Sequence, residues 1–143
     1  MIVLDTHVLS ELIKRKPARE VTTWLKDLAD TPVATTEINV AEVLAGLALL
    51  PSGRRRRVLE QAFLTVMQHA AFTPLPFDRE AALAYAAIRE QRKRAGLHHA
   101  PLDHLIAAIA RAAGAAVATR NVADFEGCGI EVIDPWERNG AAD

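Results

Sequence analysis

Cysteine is nearly absent from this chain of 143 residues. Cys128, set between Gly127 and Gly129, is the one example and has no partner for an internal disulfide. A disulfide scaffold is therefore excluded, and a reducing, cytoplasmic setting is the expectation. Long apolar runs are missing too. The longest are strand-sized or broken by charge, so no segment is expected to cross a bilayer. An acid at position 5 and the lack of a basic start before an apolar block predict no secretory leader. Charge of one sign is also lacking: the net charge is −1, which argues neither for nor against a nucleic-acid partner. No G-x-G-x-x-G follows the first strand-like run and no phosphate-cradling P-loop is present, so dinucleotide binding is not expected.

What the chain does have is a balanced composition. Half of its residues are hydrophobic and 24% are charged, as in a folded globule large enough for one well-formed core. Its basic residues come in clumps: Lys14-Arg15-Lys16, Arg54 to Arg57, and Arg89 with Arg92-Lys93-Arg94. Such clumps are usually solvated surface; a rim that contacts phosphates is the alternative, and it needs a negative substrate argued on other grounds.

Extended and helical patterns alternate along the chain. Strands are predicted at Ile2–Leu4, Val33–Thr35, Ala116–Thr119 and Ile130–Ile133, with an irregular extended stretch in "FTPLPF". Helices are predicted from Thr6 to about Arg15, over Ala18–Leu28, and from a start at Thr36 to about Leu50. Others follow over Arg54–Ala70, after an Asp78 cap to about Ala95, and from Pro101 to Ala113, where Gly114 ends the helix. Strands joined through helices imply crossover connections and a mainly parallel central sheet with helices on both faces. One α/β domain over residues 1–138 is expected, with residues 139–143 as a frayed tail.

The first strand poses a question, because Ile2-Val3-Leu4 ends on Asp5. Asp5 or Thr6 could cap the following helix, or Asp5 could belong to a site. In open parallel α/β sheets, sites form beyond the carboxyl ends of the strands, and Asp5 stands there. Three further acids can be placed in the same way. Glu42 has Ile38, Ala45, Gly46 and Leu49 as helical neighbours, which puts it on the apolar stripe, and a glutamate on a buried face needs a partner. Gly46 would leave room there for close approach. Glu37 falls off that stripe and suits the helix dipole. Asp103, third in its helix, also suits a dipole role, yet it shares the face of Ile106, Ala107 and Ala110. Asp124 follows a strand end and could be a turn or cap residue. Together the four converge on one end of the sheet. Two carboxylates about 4 Å apart repel by roughly 4 kcal/mol at an effective dielectric of 20, so four need a cation or protons. Oxygen ligands without cysteine point to Mg²⁺ or Mn²⁺, ions that serve phosphoryl chemistry. On this reading Asp5 is a metal ligand.

The stretches "MIVLDTHVLSEL", "TTEINVAEVLAG", "LDHLIAAIARAAGAAVATRNVADF" and "IEVIDPW" resemble, in order and over nearly the whole chain, the PIN-domain ribonucleases. They are most similar to the VapC and FitB type of toxin in bacterial toxin–antitoxin pairs. The resemblance implies a metal-dependent endoribonuclease that hydrolyses RNA phosphodiesters. Its catalytic acids would fall on Asp5, Glu42, Asp103 and Asp124, with Mg²⁺ (or Mn²⁺) held by Asp5, Asp103 and Asp124. Accessory polar residues would be Thr6, Thr119 and Asn121. It further implies a homodimer, RNA as substrate, no membrane partner, and inhibition by a small antitoxin of the VapB or FitA kind. The chain departs from the family at His7, where "DTNV" is common, and at His104, where a small residue often follows the third acid. With His98 and His99 these histidines read as surface or supporting groups; recruitment of a borderline metal is the alternative. A catalytically silent PIN module that binds RNA or protein is the competing function. A phosphatase of the haloacid dehalogenase kind is a third, but its second aspartate, two residues after the first, is replaced here by His7.

Overall fold

A computed structural model describes residues 1–69 and 72–137. Five strands alternate with seven helices: β1 (Ile2–Leu4), α1 (Thr6–Leu12), α2 (Arg19–Asp27), β2 (Val33–Thr36), α3 (Glu37–Ala48) and α4 (Arg54–Met67). β3 (Pro74–Leu75), α5 (Arg79–Arg94), α6 (Pro101–Ala112), β4 (Ala116–Ala118), α7 (Val122–Phe125) and β5 (Val132–Ile133) complete them. All strand pairs are parallel, in the order β3-β2-β1-β4-β5. A parallel ladder buried on both faces wants continuous apolar strands, and "IVL" and "AVA" supply them at the centre.

Side chains of a strand alternate between faces, and the core divides accordingly. Ile2, Leu4 and Ala118 pack with Val8, Leu9, Val21, Val43, Leu47 and Phe63 on the face covered by α1 to α4. Val3 and Val117 pack with Ile88, Ile106, Ala107, Ala110 and Phe125 on the face covered by α5 to α7. Helices on both faces of a parallel sheet are thus what the alternating pattern predicts. None of the described helices is long and apolar enough to cross a membrane.

Local signals set several boundaries where the sequence places them. Thr36 caps α3 by accepting from the Asn39 N–H at 3.2 Å, and Asp78 caps α5 by accepting from Ala81 at 3.0 Å. Pro101 opens α6, and Gly114 leaves it at a φ of 66°, a conformation cheap only for glycine. Other boundaries differ. α1 stops at Leu12 rather than near Arg15, α4 stops at Met67, β4 at Ala118, and the last strand is only Val132–Ile133. The stretch after β4, expected as a plain turn, holds the one-turn helix α7, whose Phe125 is fully buried. Four residues are too few for periodicity to register; burial of that ring makes the turn. The expected tail over residues 139–143 lies outside the described residues.

Candidate metal centre

The register of the sheet assembles the site. Ile2 and Val3 pair with Val33 and Ala34 on one side, and Ile2, Val3 and Leu4 with Ala116, Val117 and Ala118 on the other. Carried on, this register brings Asp5, Thr36 (the last residue of β2) and Thr119 together at the carboxyl edge, and all three are buried. The Asp5 N–H continues the ladder by donating to the Ala118 carbonyl at 2.9 Å.

Asp5 occupies the cap position of α1 but its side chain makes no cap hydrogen bond. Each carboxylate oxygen has another partner. Asn39 Nδ2 donates to Oδ1 at 2.9 Å, and Thr119 Oγ1 donates to Oδ2 at 2.6 Å. The Asn39 amide is itself oriented, since Thr36 Oγ1 donates to its Oδ1 at 2.7 Å. Asn39 Nδ2 also donates to Thr6 Oγ1 at 3.0 Å, and Thr6 passes the chain on by donating to Glu42 Oε1 at 2.9 Å. One network thus fixes two of the acids. His7, half-exposed, has its Nδ1 3.7 Å from Asp5 Oδ2; that contact raises its pKa against the opposing effect of burial, with help from the Asp5, Asp103 and Glu42 charges.

Asp5, Glu42 and Asp103 each bring a carboxylate oxygen within 4.8 Å of the other two. Asp124 stands beside this trio, hydrogen-bonded to Asp103. So the group held closest contains Glu42, where the sequence reading of the metal ligands places Asp124. Burial, a hydrogen bond to Asp124 and the neighbouring charges push the Asp103 carboxyl up to about 7. Burial raises Glu42 as well, the Thr6 hydrogen bond opposes this, and the Asp5 charge adds to it. Burial also acts to raise Asp124, but hydrogen bonds from Asp103 and from His98, whose Nε2 lies 2.6 Å from Oδ1, hold it below its ordinary value. All-oxygen donors in mutual contact, one of them retaining a proton for want of a counter-charge, fit a small divalent cation.

Two expectations need correction. Glu42 does not lie on a buried stripe: Ala45, Gly46 and Leu49 are exposed, and the buried line of α3 is Asn39, Val43 and Leu47. α3 is apolar on most of its surface, so its pattern alone leaves its rotation undecided; the sheet selects Val43 and Leu47. Nor does Gly46 admit a close neighbour, for a Cβ there would meet nothing within 4 Å. Among the other residues, Thr6 and Thr119 touch the acids directly. Asn121 contributes its N–H, which donates to Thr119 Oγ1 at 3.0 Å, while its side chain makes no hydrogen bond among the described residues.

Two residues of the site escape a reading of the sequence. Asn39 had a signal: an amide at the head of the i, i+4, i+8 line with Val43 and Leu47. Arg92 had none beyond its place in a basic clump. It is 2% exposed, and its guanidinium donates to the carbonyls of His98 (3.0 Å), Ala123 (3.5 Å) and Glu126, tying the loop before α6 to α7. His104, also buried, faces the Asp124 carbonyl with Nε2 at 3.0 Å; burial and the charge of Arg92 lower its pKa, so it stays neutral and donates. These groups place Asp124.

A parallel β3-β2-β1-β4-β5 sheet whose carboxyl edge gathers acids is the arrangement of a nuclease of the PIN type, and the sequence profile described as "PIN domain" matches residues 2–126. The chain belongs to the PIN-domain family, and within it to the VapC and FitB toxins. It is 41% identical to VapC ribonuclease Y4jK of Sinorhizobium fredii over 138 residues, 96% of this chain and 99% of that one. It is 38% identical to toxin FitB of Neisseria gonorrhoeae over 137 residues, 95% and 99% of the two chains. The crystal structure of FitAcB from Neisseria gonorrhoeae superposes with a TM-score of 0.83 at 36% identity, covering 96% of this chain and 99% of that one.

Proposed function

We propose that this protein is a metal-dependent endoribonuclease toxin that hydrolyses RNA phosphodiester bonds and is neutralised by a small antitoxin of the VapB or FitA kind. The observation that carries this reading is the trio of carboxylates from Asp5, Glu42 and Asp103 within 4.8 Å of one another. Like charges at that separation, Asp5 buried and the other two half-buried, call for a counter-cation or a shared proton. RNA as the substrate draws support from the relative named as a ribonuclease. A homodimer in the cytoplasm, with residues 1–138 as the nuclease domain, is part of the same proposal.

Asp5, Asp103 and Glu42 would hold Mg²⁺ or Mn²⁺, with Asp124 close enough to Asp103 to join them. When bound, such an ion supplies positive charge at a phosphodiester oxygen and lowers the pKa of an attacking water. The chain itself does the positioning. Asn39 and Thr119 keep both Asp5 oxygens in place, and Thr6 aims Glu42. Asp124, its pKa held low and its carboxylate fixed by Asp103 and His98, stays charged and is placed to orient the attacking water. His98, whose Nε2 lies 2.6 Å from Asp124 Oδ1, helps to hold that carboxylate in place.

The test is cleavage of labelled tRNA by purified protein with Mg²⁺ or Mn²⁺, against Asp5→Asn and EDTA controls. Loss of cleavage in both controls supports the reading. Absence of cleavage by the wild type with either ion, on several RNAs and free of antitoxin, overturns it. His7 then becomes the observation that favours a silent binding module, because its protonated ring would itself neutralise Asp5.

A further inference from the structure

Each of the three basic clumps has one ion-paired member, and only the third opens onto a cavity among those described. Lys14 pairs with Glu11, Arg56 with Glu60 and Arg94 with Glu90. Arg89 and Lys93, one helical turn apart on α5 and therefore on one face, are exposed and make no ion pair among the described residues. They open onto a cavity of about 300 Å³ between the end of α5 and the start of α6, which Arg92, His98, His99 and His104 also line. None of its lining residues is acidic. The chain turns through Gly96 at a φ of 72° to bring the histidines back over Lys93, and buried Arg92 holds the returning loop by the His98 carbonyl. Desolvation, and after it the charges of Arg89 and Arg92, lower the pKa of His99.

This cavity adjoins the acids. His98 reaches from its wall to Asp124 Oδ1 at 2.6 Å, and His104 from its floor to the Asp124 carbonyl at 3.0 Å. A negative centre that demands a cation therefore stands next to a positive hollow that demands an anion. An RNA strand offers both at a regular spacing: one phosphodiester to the acids through a cation, the next to a basic pocket.

We infer that the hollow of Arg89, Lys93, His98 and His99 is a phosphate subsite, which takes a backbone phosphodiester of RNA adjacent to the one held at the carboxylates. The inference rests on the ribonuclease reading for its ligand. Arg89 provides a planar fork for two phosphate oxygens and Lys93 a mobile point charge, a pairing that fixes the strand without reading bases. His98, which touches both the hollow and Asp124, links occupancy of the subsite to the position of that acid.

Binding can be tested apart from cleavage. The probe is a fluorescein-labelled single-stranded RNA of mixed sequence, about 20 nucleotides long, titrated in EDTA over a range of salt. Arg89→Gln/Lys93→Gln should weaken binding about tenfold near 0.1 M salt and flatten the log–log salt slope by roughly 0.7, the share of the one phosphate no longer neutralised. Arg54→Gln/Arg57→Gln, which removes the same charge from an exposed face of α4, should leave binding within about twofold of wild type. The Mn²⁺-induced rise in Tm should be the same in all three proteins. Equal losses in both double variants, or none in the first, overturn the subsite. Absence of cleavage with the subsite effect intact overturns the nuclease reading alone.

Discussion

Thr119 donates its hydroxyl to Asp5 Oδ2 at 2.6 Å across 114 residues of sequence. The same hydroxyl accepts the Asn121 N–H, so one oxygen ties the end of β1 to the loop that leads into α7 and Asp124. Thr119→Val keeps the shape and deletes both bonds. Removing a support of this kind costs about 10- to 100-fold in metal affinity or activity, and an unpartnered buried group roughly 1–3 kcal/mol of stability. Mn²⁺ titration and thermal unfolding of the variant measure the two effects separately; a wild-type metal affinity would dismiss the positioning role.

Asn39→Leu should be worse, because two donors disappear. Asp5 loses its Oδ1 partner and the Thr6 hydroxyl loses the amide that orients it toward Glu42. Cleavage is expected to fall by about 100-fold, with kcat affected more than KM because the groups that bind substrate are untouched. Steady-state kinetics on one RNA decides this.

The metal-free protein should lose stability as pH rises. Asp103 titrates at about 7 when folded against an ordinary 3.8, so between these values the folded state holds a proton that the unfolded chain has released. Stability then falls as pH climbs through that window. Glu42 and His7, both raised, act in the same direction, and the lowered Asp124 has made its contribution by pH of about 4. A divalent cation replaces the retained proton, so Mn²⁺ should raise Tm more at a pH of about 8 than at about 5. A pH-independent metal shift in scanning fluorimetry contradicts the coupling. Asp103→Asn should flatten the pH dependence of the metal-free form and abolish cleavage.

His7→Asn should strengthen metal binding at mildly acidic pH. The protonated imidazole beside Asp5 competes with a cation for the same carboxylate, and asparagine removes that competitor. Mn²⁺ affinity at a pH of about 6 should rise several-fold, roughly 1 kcal/mol or less given the exposure of His7, and the gain should vanish at a pH of about 8. Equal gains at both values would point to sterics instead.

Arg92→Met should be the most destabilising of these changes. It leaves the His98, Ala123 and Glu126 carbonyls without their common donor and frees both the loop before α6 and α7. A loss of roughly 2–4 kcal/mol is expected, read as a lower denaturant midpoint, with cleavage impaired even where the variant is fully folded.

Much of this was legible in the chain before any coordinates. The apolar triplets of β1 and β4, the caps at Thr36 and Asp78, Pro101 and Gly114 are local signals, and local sterics and hydrogen bonding act on them directly. An acid one residue past a buried strand could be placed at the carboxyl edge from topology alone, as Asp5 was; Asp124 also follows a strand, whereas Glu42 and Asp103 were reached from helix faces, Glu42 by a stripe the sheet does not bury. Other features had no local cause. The rotation of α3, apolar on most sides, follows from which of its faces the sheet can cover. α7 exists because Phe125 is buried, and Arg92 is buried because the carbonyls of His98, Ala123 and Glu126 share it as a donor. Whether Glu42 or Asp124 stands nearest the other acids depends on contacts with Thr6 and His98. Residue type and spacing fix the elements; which groups meet depends on how buried polar atoms across the whole fold find partners, and that competition is settled only when the chain is packed.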